Sequence, residues 1–301
     1  MRDSAANEPM EEQDVLWRSL LYTPGNQPKI AEKAARTAAD VVILDLEDSV
    51  LPANKELARE LIAQGAQHVA SAGKSVGVRV NSDWLLQEKD LQAAVDVAAN
   101  IVVLPKVEAP AQVVRAADLL SAIENSGTAT ALIALIETPL GLQQVDSIAK
   151  ADPRVKAINL GTEDFALEMR MDPDEYGLLY PSQLIAVAAR AAGIVPLGYV
   201  GSIAGFRDIA QFECILARSA RLGFEGGFAI HPSQIDPLNT AFSPNEEEIA
   251  LAEEVVGKFD EATQRGQGAV LVQGRMVDLP VAVRAKEKLA RAALCLSRER
   301  A

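Results

Sequence analysis

From Arg18 to about Phe242 the chain alternates between short apolar runs and amphipathic stretches. In order, the runs are SLLYTPG, VVILDLEDS, SVGVRVN, NIVVLPKVE, ATALIALIET, AINLGTED, IVPLGYVGS and GGFAIHPSQI. Each is rich in Val, Ile, Leu and Ala at successive positions, the pattern of a strand buried on both faces of a parallel sheet. ATALIALIET, at 129–138, is the clearest. Its apolar character stops at Glu137, and Pro139 and Gly141 then turn the chain into a helical pattern. Between the runs lie Ala-rich helical stretches at 111–123 and 182–192, and a helix is expected over about 52–70. Strand and helix alternating in this way predict an α/β protein, a (β/α)8 TIM barrel over 15–242. A doubly wound open sheet is the alternative, but it should carry an early Gly-rich phosphate turn, and none is present.

The pattern continues beyond the eighth run. SPNEEE, at 243–248, has the form of an N-cap with an acidic first turn, and a helix should run to about Gln264. Gly266 and Gly268 break it, AVLVQGRMVD predicts a β-hairpin or extended arm, and 279–298 predicts a last helix. A barrel is closed with eight strands, so Ile249, Val255, Val256, Phe259, Leu289 and Leu294 need some other surface. The region 243–301 is therefore expected to be a C-terminal extension for oligomerisation and active-site completion. At the other end, 1–14 is polar and acidic without periodicity, and is expected to be a flexible tail.

Composition narrows the class. With 49% hydrophobic but only 4% aromatic residues, the core has to be filled by Ala, Val, Ile and Leu. A formal charge of -13 argues against nucleic acid as a partner, since no general excess of Lys and Arg is there to displace counterions. It leaves room for a small anionic ligand held by a few local cations. Cys214 and Cys295 fall in helical patterns and are expected to be reduced core residues. No signal-like segment opens the chain, and no apolar run reaches the roughly 18–20 residues of a membrane span. We expect a cytoplasmic protein with no membrane partner, unless an import signal has been removed.

The strand ends hold the candidate chemistry. They carry Asp45, Glu47 and Asp48, then Arg79 and Asn81, Lys106 and Glu108, Glu137, Glu163 and Asp164, and His231. Any one of these could be a solvated loop charge or an ion-pair partner. Together, at the C-terminal mouth of a barrel, they suit a binding site. Mg²⁺ takes a near-octahedral shell of hard oxygens, often one or two carboxylates with water and substrate oxygens. Glu137 and Asp164 fit that role, with Glu47 as acceptor for a metal-bound water. Arg79 can grip a carboxylate fork-on-fork. Lys106 and Thr138 complete the candidate substrate-binding set. His231 could orient a ligand, though a histidine hydrogen-bonded at the rim before a Pro turn is the simpler reading.

RSLLYTPGN (18–26), DLEDSV (45–50), RVN (79–81), LPKVE (104–108), IET (136–138), GTEDF (161–165) and GFEGGFAIHPSQI (223–235) together resemble the citrate lyase β-subunit-like family. That family belongs to the HpcH/HpaI aldolase superfamily, which also contains malyl-CoA and citramalyl-CoA lyases. The motifs span the whole barrel in order. The resemblance implies a Mg²⁺-dependent (β/α)8 lyase that cleaves or forms the carbon–carbon bond of a 3-hydroxy-3-carboxyacyl thioester. It implies Glu137 and Asp164 as metal ligands and Arg79 as the residue holding the keto-acid carboxylate. GRMVDLP, at 274–280, is similar to a segment that free-standing members add after the barrel and shorter members lack. There its aspartate, here Asp278, acts as acid/base in the site of an adjacent subunit, which implies a homo-oligomer, a trimer or a multiple of it. The sequence departs from the family at Gly226-Gly227, where Gly-Lys is usual, at Gly198-Tyr199, where an aspartate is common, and at Tyr180-Pro181-Ser182, where Tyr-x-Arg is frequent. Asp278, Arg79 and Glu47 are thus the candidate catalytic residues. Two other functions remain: a metal-dependent aldolase acting on free hydroxy-keto acids, and a non-catalytic barrel subunit.

Overall fold

A computed structural model describes residues 16–124 and 129–299, so the expected tail at 1–14 lies outside the described residues. Eight parallel strands follow one another around a nearly closed barrel: β1 (Ser19–Pro24), β2 (Val41–Asp45), β3 (Ser75–Arg79), β4 (Ile101–Leu104), β5 (Ala131–Ile136), β6 (Val155–Leu160), β7 (Val195–Leu197) and β8 (Gly227–Ala229). The helices between them are α1 (Pro28–Ala35), α2 (Lys55–Ser71), α3 (Trp84–Asp96), α4 (Pro110–Ile123), α5 (Pro139–Gln143), α6 (Val145–Ala149), α7 (Thr162–Met169), α8 (Glu175–Ala192), α9 (Ile209–Arg221) and α10 (Ile235–Ala241). This is the TIM-barrel fold that the strand–helix alternation predicts.

Side chains divide by parity along each strand. Leu20, Val41, Ile43, Val103, Ile133 and Leu135 pack together inside the barrel. Val42, Leu44, Val78, Leu132, Ala134 and Ile136 face the helices, against residues such as Ala31, Ile62 and Leu120. Extending the inward parity to the C-terminal ends brings Tyr22, Asp45, Arg79, Glu137 and Asn159 to the mouth, so the pleat that builds the core also delivers the polar residues to one place.

Closure between β7 and β8 depends on backbone approach. Leu197 forms a parallel bridge with Gly226, Gly198 N–H donates to the Gly226 carbonyl at 2.8 Å, and Glu225 N–H donates to the Pro196 carbonyl at 3.1 Å. A Cβ on Gly226 would lie 1.8 Å from the Trp17 carbonyl oxygen, so only glycine also lets the chain entering β8 pass the chain entering β1.

The structure corrects three expectations. The sixth run ends as a strand at Leu160, and TED belongs to the first turn of α7, where its carboxylates face the positive end of the helix. Helix α8 begins at Glu175, well before 182, because Asp174 caps it by accepting from Gly177 N–H at 2.9 Å. Cys214 is exposed: α9 turns Phe212, Leu216 and Ser219 inward, and Cys214 falls outside that stripe. Cys295 is buried, and both thiols are free.

The residues from Ser243 onward form a second compact unit. Its first helix, α11 (Glu246–Gln264), is capped by Asn245, whose side chain accepts from Glu248 N–H at 2.8 Å while Glu248 returns a bond to Asn245 N–H at 3.1 Å. A hairpin follows, β9 (Val270–Val272) and β10 (Arg275–Val277), joined through Gln273 and Gly274 at φ 47° and 74°. Helix α12 (Leu279–Glu299) ends it. Val255 and Phe259, expected to need a neighbouring surface, are buried in this unit's own core with Ala252, Val272, Val277 and Ala282, and Val256 and Leu289 pack against it. Among the described residues no helix is long and apolar enough to cross a membrane.

Gly226→Ala should cost about 2–4 kcal/mol, because the clash is with backbone that cannot yield. Urea unfolding measures this, and an unchanged midpoint would mean that the approach of Gly226 to Trp17 is looser than described.

Candidate active site

A cavity of about 470 Å³ opens at the C-terminal mouth of the barrel, lined among others by Tyr22, Asp45, Arg79, Glu137, Asn159 and Asp164. Strand register sets its centre. Asp45 and Arg79 are Cα partners across β2 and β3, and the guanidinium grips the carboxylate through Nε–Oδ1 at 2.7 Å and Nη2–Oδ2 at 2.8 Å. Asp45 also accepts from Glu47 N–H at 2.9 Å and Ser49 N–H at 3.0 Å. Burial alone would raise the Asp45 pKa, but the hydrogen bonds and charge of Arg79, helped by Ser49 and Glu47, hold it below the usual aspartate value. The remaining nitrogen, Nη1, lies 3.2 Å from Glu47 Oε2 and 3.4 Å from Asp48.

Glu47 is buried, and the loop carrying it is pinned from below. The ammonium of buried Lys55 donates to the carbonyls of Leu46 and Glu47, both at 2.6 Å, and Asn81 Nδ2 donates to the Leu46 carbonyl at 2.9 Å. Burial pushes the Glu47 pKa up to about 7, assisted by Asp48 and Glu137 and opposed by Arg79 and Lys106. Its Oε2 has no hydrogen-bond partner among the described residues, because Arg79 Nη1 is near but misaligned. A buried carboxylate oxygen with no donor is a place for a ligand or a bound water.

Glu137 follows β5 directly and is 3% exposed. Its Oε2 accepts from Lys106 N–H at 2.6 Å, and Lys106 takes a left-handed backbone, φ 50°, to present that group. A Cβ on Gly161 would lie 2.4 Å from Glu137 Cγ, so any other residue there would push the carboxylate from its place. Burial pushes the Glu137 pKa up to about 7; the Lys106 hydrogen bond and the charges of Arg79 and Lys106 oppose this, and Asp164 adds to it. Asp164 reaches the same cavity from the first turn of α7. Among the described residues no group of three or more His, Cys, Asp or Glu side chains gathers as a metal cage. Two carboxylates facing a cavity without a histidine or thiolate suit a hard cation that keeps most of its shell for water and substrate oxygens.

The other candidates fall elsewhere. Lys106 Nζ lies 3.4 Å from Glu47 Oε1. Thr138 caps α5 by accepting from Gly141 N–H at 3.1 Å and is not among the residues lining the cavity. His231 takes the rim reading: Nδ1 sits 2.8 Å from Ser233 Oγ, and the ring stacks on Phe206 at 4.9 Å. Asp278 is exposed and accepts from Val281 N–H at 3.3 Å at the start of α12. Polar cavity residues beyond that set include Tyr22 and Asn159, and Asp45 enters as the partner of Arg79. The signal for Asn159 was present, a polar residue in the middle of an apolar run.

Residues 18–232 match the HpcH/HpaI aldolase/citrate lyase family. The chain is 35% identical over 287 residues to the citrate lyase subunit beta of Leuconostoc mesenteroides subsp. cremoris, covering 92% of this chain and 94% of that protein. It is 34% identical over 288 residues to an L-malyl-CoA/beta-methylmalyl-CoA lyase of Cereibacter sphaeroides, covering 87% and 90%. Its fold superposes with a TM-score of 0.72 on the crystal structure of CitE from Mycobacterium tuberculosis in complex with magnesium, acetoacetate and coenzyme A, at 30% identity, over 91% of this chain and 97% of that one.

The raised carboxyl pKa values have a sign that can be tested. Stability from Glu47 and Glu137 is fully present below about 4.5, where both are protonated folded or unfolded, and is lost as pH rises through about 7. In EDTA, Glu137→Gln should therefore gain thermal midpoint relative to the parent protein as pH rises across that window. A constant difference between the two from pH 4.5 to 8 would mean that Glu137 ionises normally.

Proposed function

Because this chain belongs to the HpcH/HpaI aldolase/citrate lyase family, we propose that it is a Mg²⁺-dependent carbon–carbon lyase acting on a 3-hydroxy-3-carboxyacyl-CoA thioester of the citryl, citramalyl or malyl type. The products are a keto acid and an acyl-CoA. The observation that carries the reading is the shared cavity, which joins Glu137 and Asp164 to the fixed guanidinium of Arg79. The magnesium and coenzyme A in the Mycobacterium tuberculosis complex support the cofactor and the carrier.

Glu137 and Asp164 would hold the ion, whose Lewis acidity would polarise the substrate oxygen destined to become the keto group. The protein supplies the rest. Arg79, held along one edge by Asp45 and with Nη1 beside Glu47 and Asp48, lines the cavity and would meet the substrate carboxylate there, fixing the orientation of that fragment. Glu47 is the acceptor for a water or hydroxyl through its unpartnered oxygen, and Lys106 balances its charge. In cleavage a base takes the hydroxyl proton, the carbon–carbon bond breaks, and its electron pair passes to the α-carbon of the thioester. That enolate then takes up a proton to give the acyl-CoA. We assign the proton transfer to Asp278 of a second copy in a homo-oligomer, a trimer or hexamer, working in the cytoplasm.

The deciding experiment is a panel of malyl-, citramalyl- and citryl-CoA with Mg²⁺, reading free keto acid, with Glu137→Ala as the inactive control. Cleavage of free 4-hydroxy-2-oxo acids with no thioester turnover would replace the reading by a metal-dependent aldolase. Inactivity throughout would leave a non-catalytic barrel.

Arg79→Lys keeps a charge but offers Asp45 one side-chain donor where Arg79 supplies two, beside the N–H groups of Glu47 and Ser49. It should raise the keto-acid KM at least tenfold and also lower the thermal midpoint. An unchanged KM would reduce Arg79 to a structural partner of Asp45. Asp278→Ala and Glu137→Ala, each inactive alone, should regain part of the activity when refolded together, since some interfaces then combine an intact Asp278 with an intact Glu137. Mixed oligomers that remain inactive would remove Asp278 from the shared site.

A further inference from the structure

Tyr22 lines the cavity beside Arg79, and the proposed reaction gives it no task. It follows Leu20 in the inward parity of β1, so its ring enters the mouth where the apolar core ends. Two contacts hold the ring. It stacks on Phe228 of β8 with centroids 5.0 Å apart and planes 13° from parallel, and the Arg79 guanidinium carbon lies 4.7 Å from its centroid. A ring held by a stack and a cation–π contact loses little further freedom when its hydroxyl meets a ligand.

The hydroxyl itself is uncommitted: no hydrogen bond to it is made among the described residues. The second tyrosine of the cavity shows the contrast. Tyr199, the more deeply buried of the two, donates to the Phe228 carbonyl at 3.0 Å. Enclosure pushes the Tyr22 pKa up; Arg79 opposes this, while Asp45, Glu137 and Glu47 add to it. The group is therefore a neutral O–H and a permanent donor. A fixed donor without an acceptor, in a cavity that also holds the Arg79 guanidinium, is matched by an incoming anionic oxygen.

We propose that Tyr22 is a substrate-binding residue, its hydroxyl donating to a carboxylate oxygen of the keto-acid fragment beside Arg79, so that the carboxylate is held at two points from β1 and β3. This rests on the lyase reading. It adds a specificity determinant: the site should favour 2-oxo carboxylates over acids whose carboxylate cannot reach both donors.

Tyr22→Phe removes only the oxygen and keeps both ring contacts. Titration of pyruvate into the Mg²⁺-saturated protein, followed by calorimetry, should show about tenfold weaker binding for Tyr22→Phe, the size of one charge-assisted hydrogen bond. The thermal midpoint should not fall, because an unpaired hydroxyl contributes nothing to the empty fold. Tyr199→Phe should do the opposite, lowering the midpoint and leaving pyruvate affinity unchanged. Equal pyruvate affinity in Tyr22→Phe and the parent protein would overturn the role of Tyr22 while leaving the lyase reading standing. A lower midpoint in Tyr22→Phe with unchanged affinity would make the hydroxyl structural and overturn it as well. A parent protein that binds neither pyruvate nor oxaloacetate would remove the lyase reading and the role of Tyr22 together.

Discussion

Asp45 and Arg79 are adjacent in the β2–β3 register, and the rest of the site depends on that pair. A buried guanidinium alone, or a buried carboxylate alone, would be strongly destabilising; two parallel hydrogen bonds at 2.7 and 2.8 Å make both tolerable. The pair then organises its surroundings. Asp45 draws in the backbone N–H groups of Glu47 and Ser49 and so shapes the loop after β2. Arg79 lies over Tyr22 and places its free end near Glu47. Losing either member would leave the other charge stranded and the acidic loop without its anchor.

Much of this was legible in the sequence, for reasons that differ by residue. The strands could be read because a barrel strand is buried on both faces and leaves an uninterrupted apolar run. Glu137 could be read because such a run ends on it abruptly. Asp164 was placed at the right mouth but on the wrong kind of element, since GTED continues a strand pattern until the capping geometry at Gly161 is known. Cys214 was misplaced because cysteine counts as a core residue by type, whereas α9 has a marked inner stripe of Phe212, Leu216 and Ser219 that leaves position 214 outside. Tyr22 could not be identified at all. Its ring belongs to the core and only its hydroxyl to the cavity, and a period-two pattern reports where a side chain points, not whether its last atom finds a partner.

Several glycines in the barrel are explained by what lies against them. Gly161 carries the Glu137 carboxylate, Gly226 lets the chain pass the Trp17 carbonyl, and a Cβ on Gly227 would meet the Tyr199 ring at 2.9 Å. The departure at Gly226-Gly227 from the Gly-Lys usual in the resembling family therefore has a packing cause on this chain: the second position faces an aromatic ring with no space for a longer side chain.

The unit beyond Ser243 has its own hydrophobic cluster, its own helix cap and its own hairpin turn. That self-sufficiency has an evolutionary reading. A segment that brings its own core can be gained by fusion or lost by an early stop codon as one piece, so selection can act on it as a detachable accessory. A catalytic group carried on such an accessory could come and go between lineages while the older barrel chemistry stays in place.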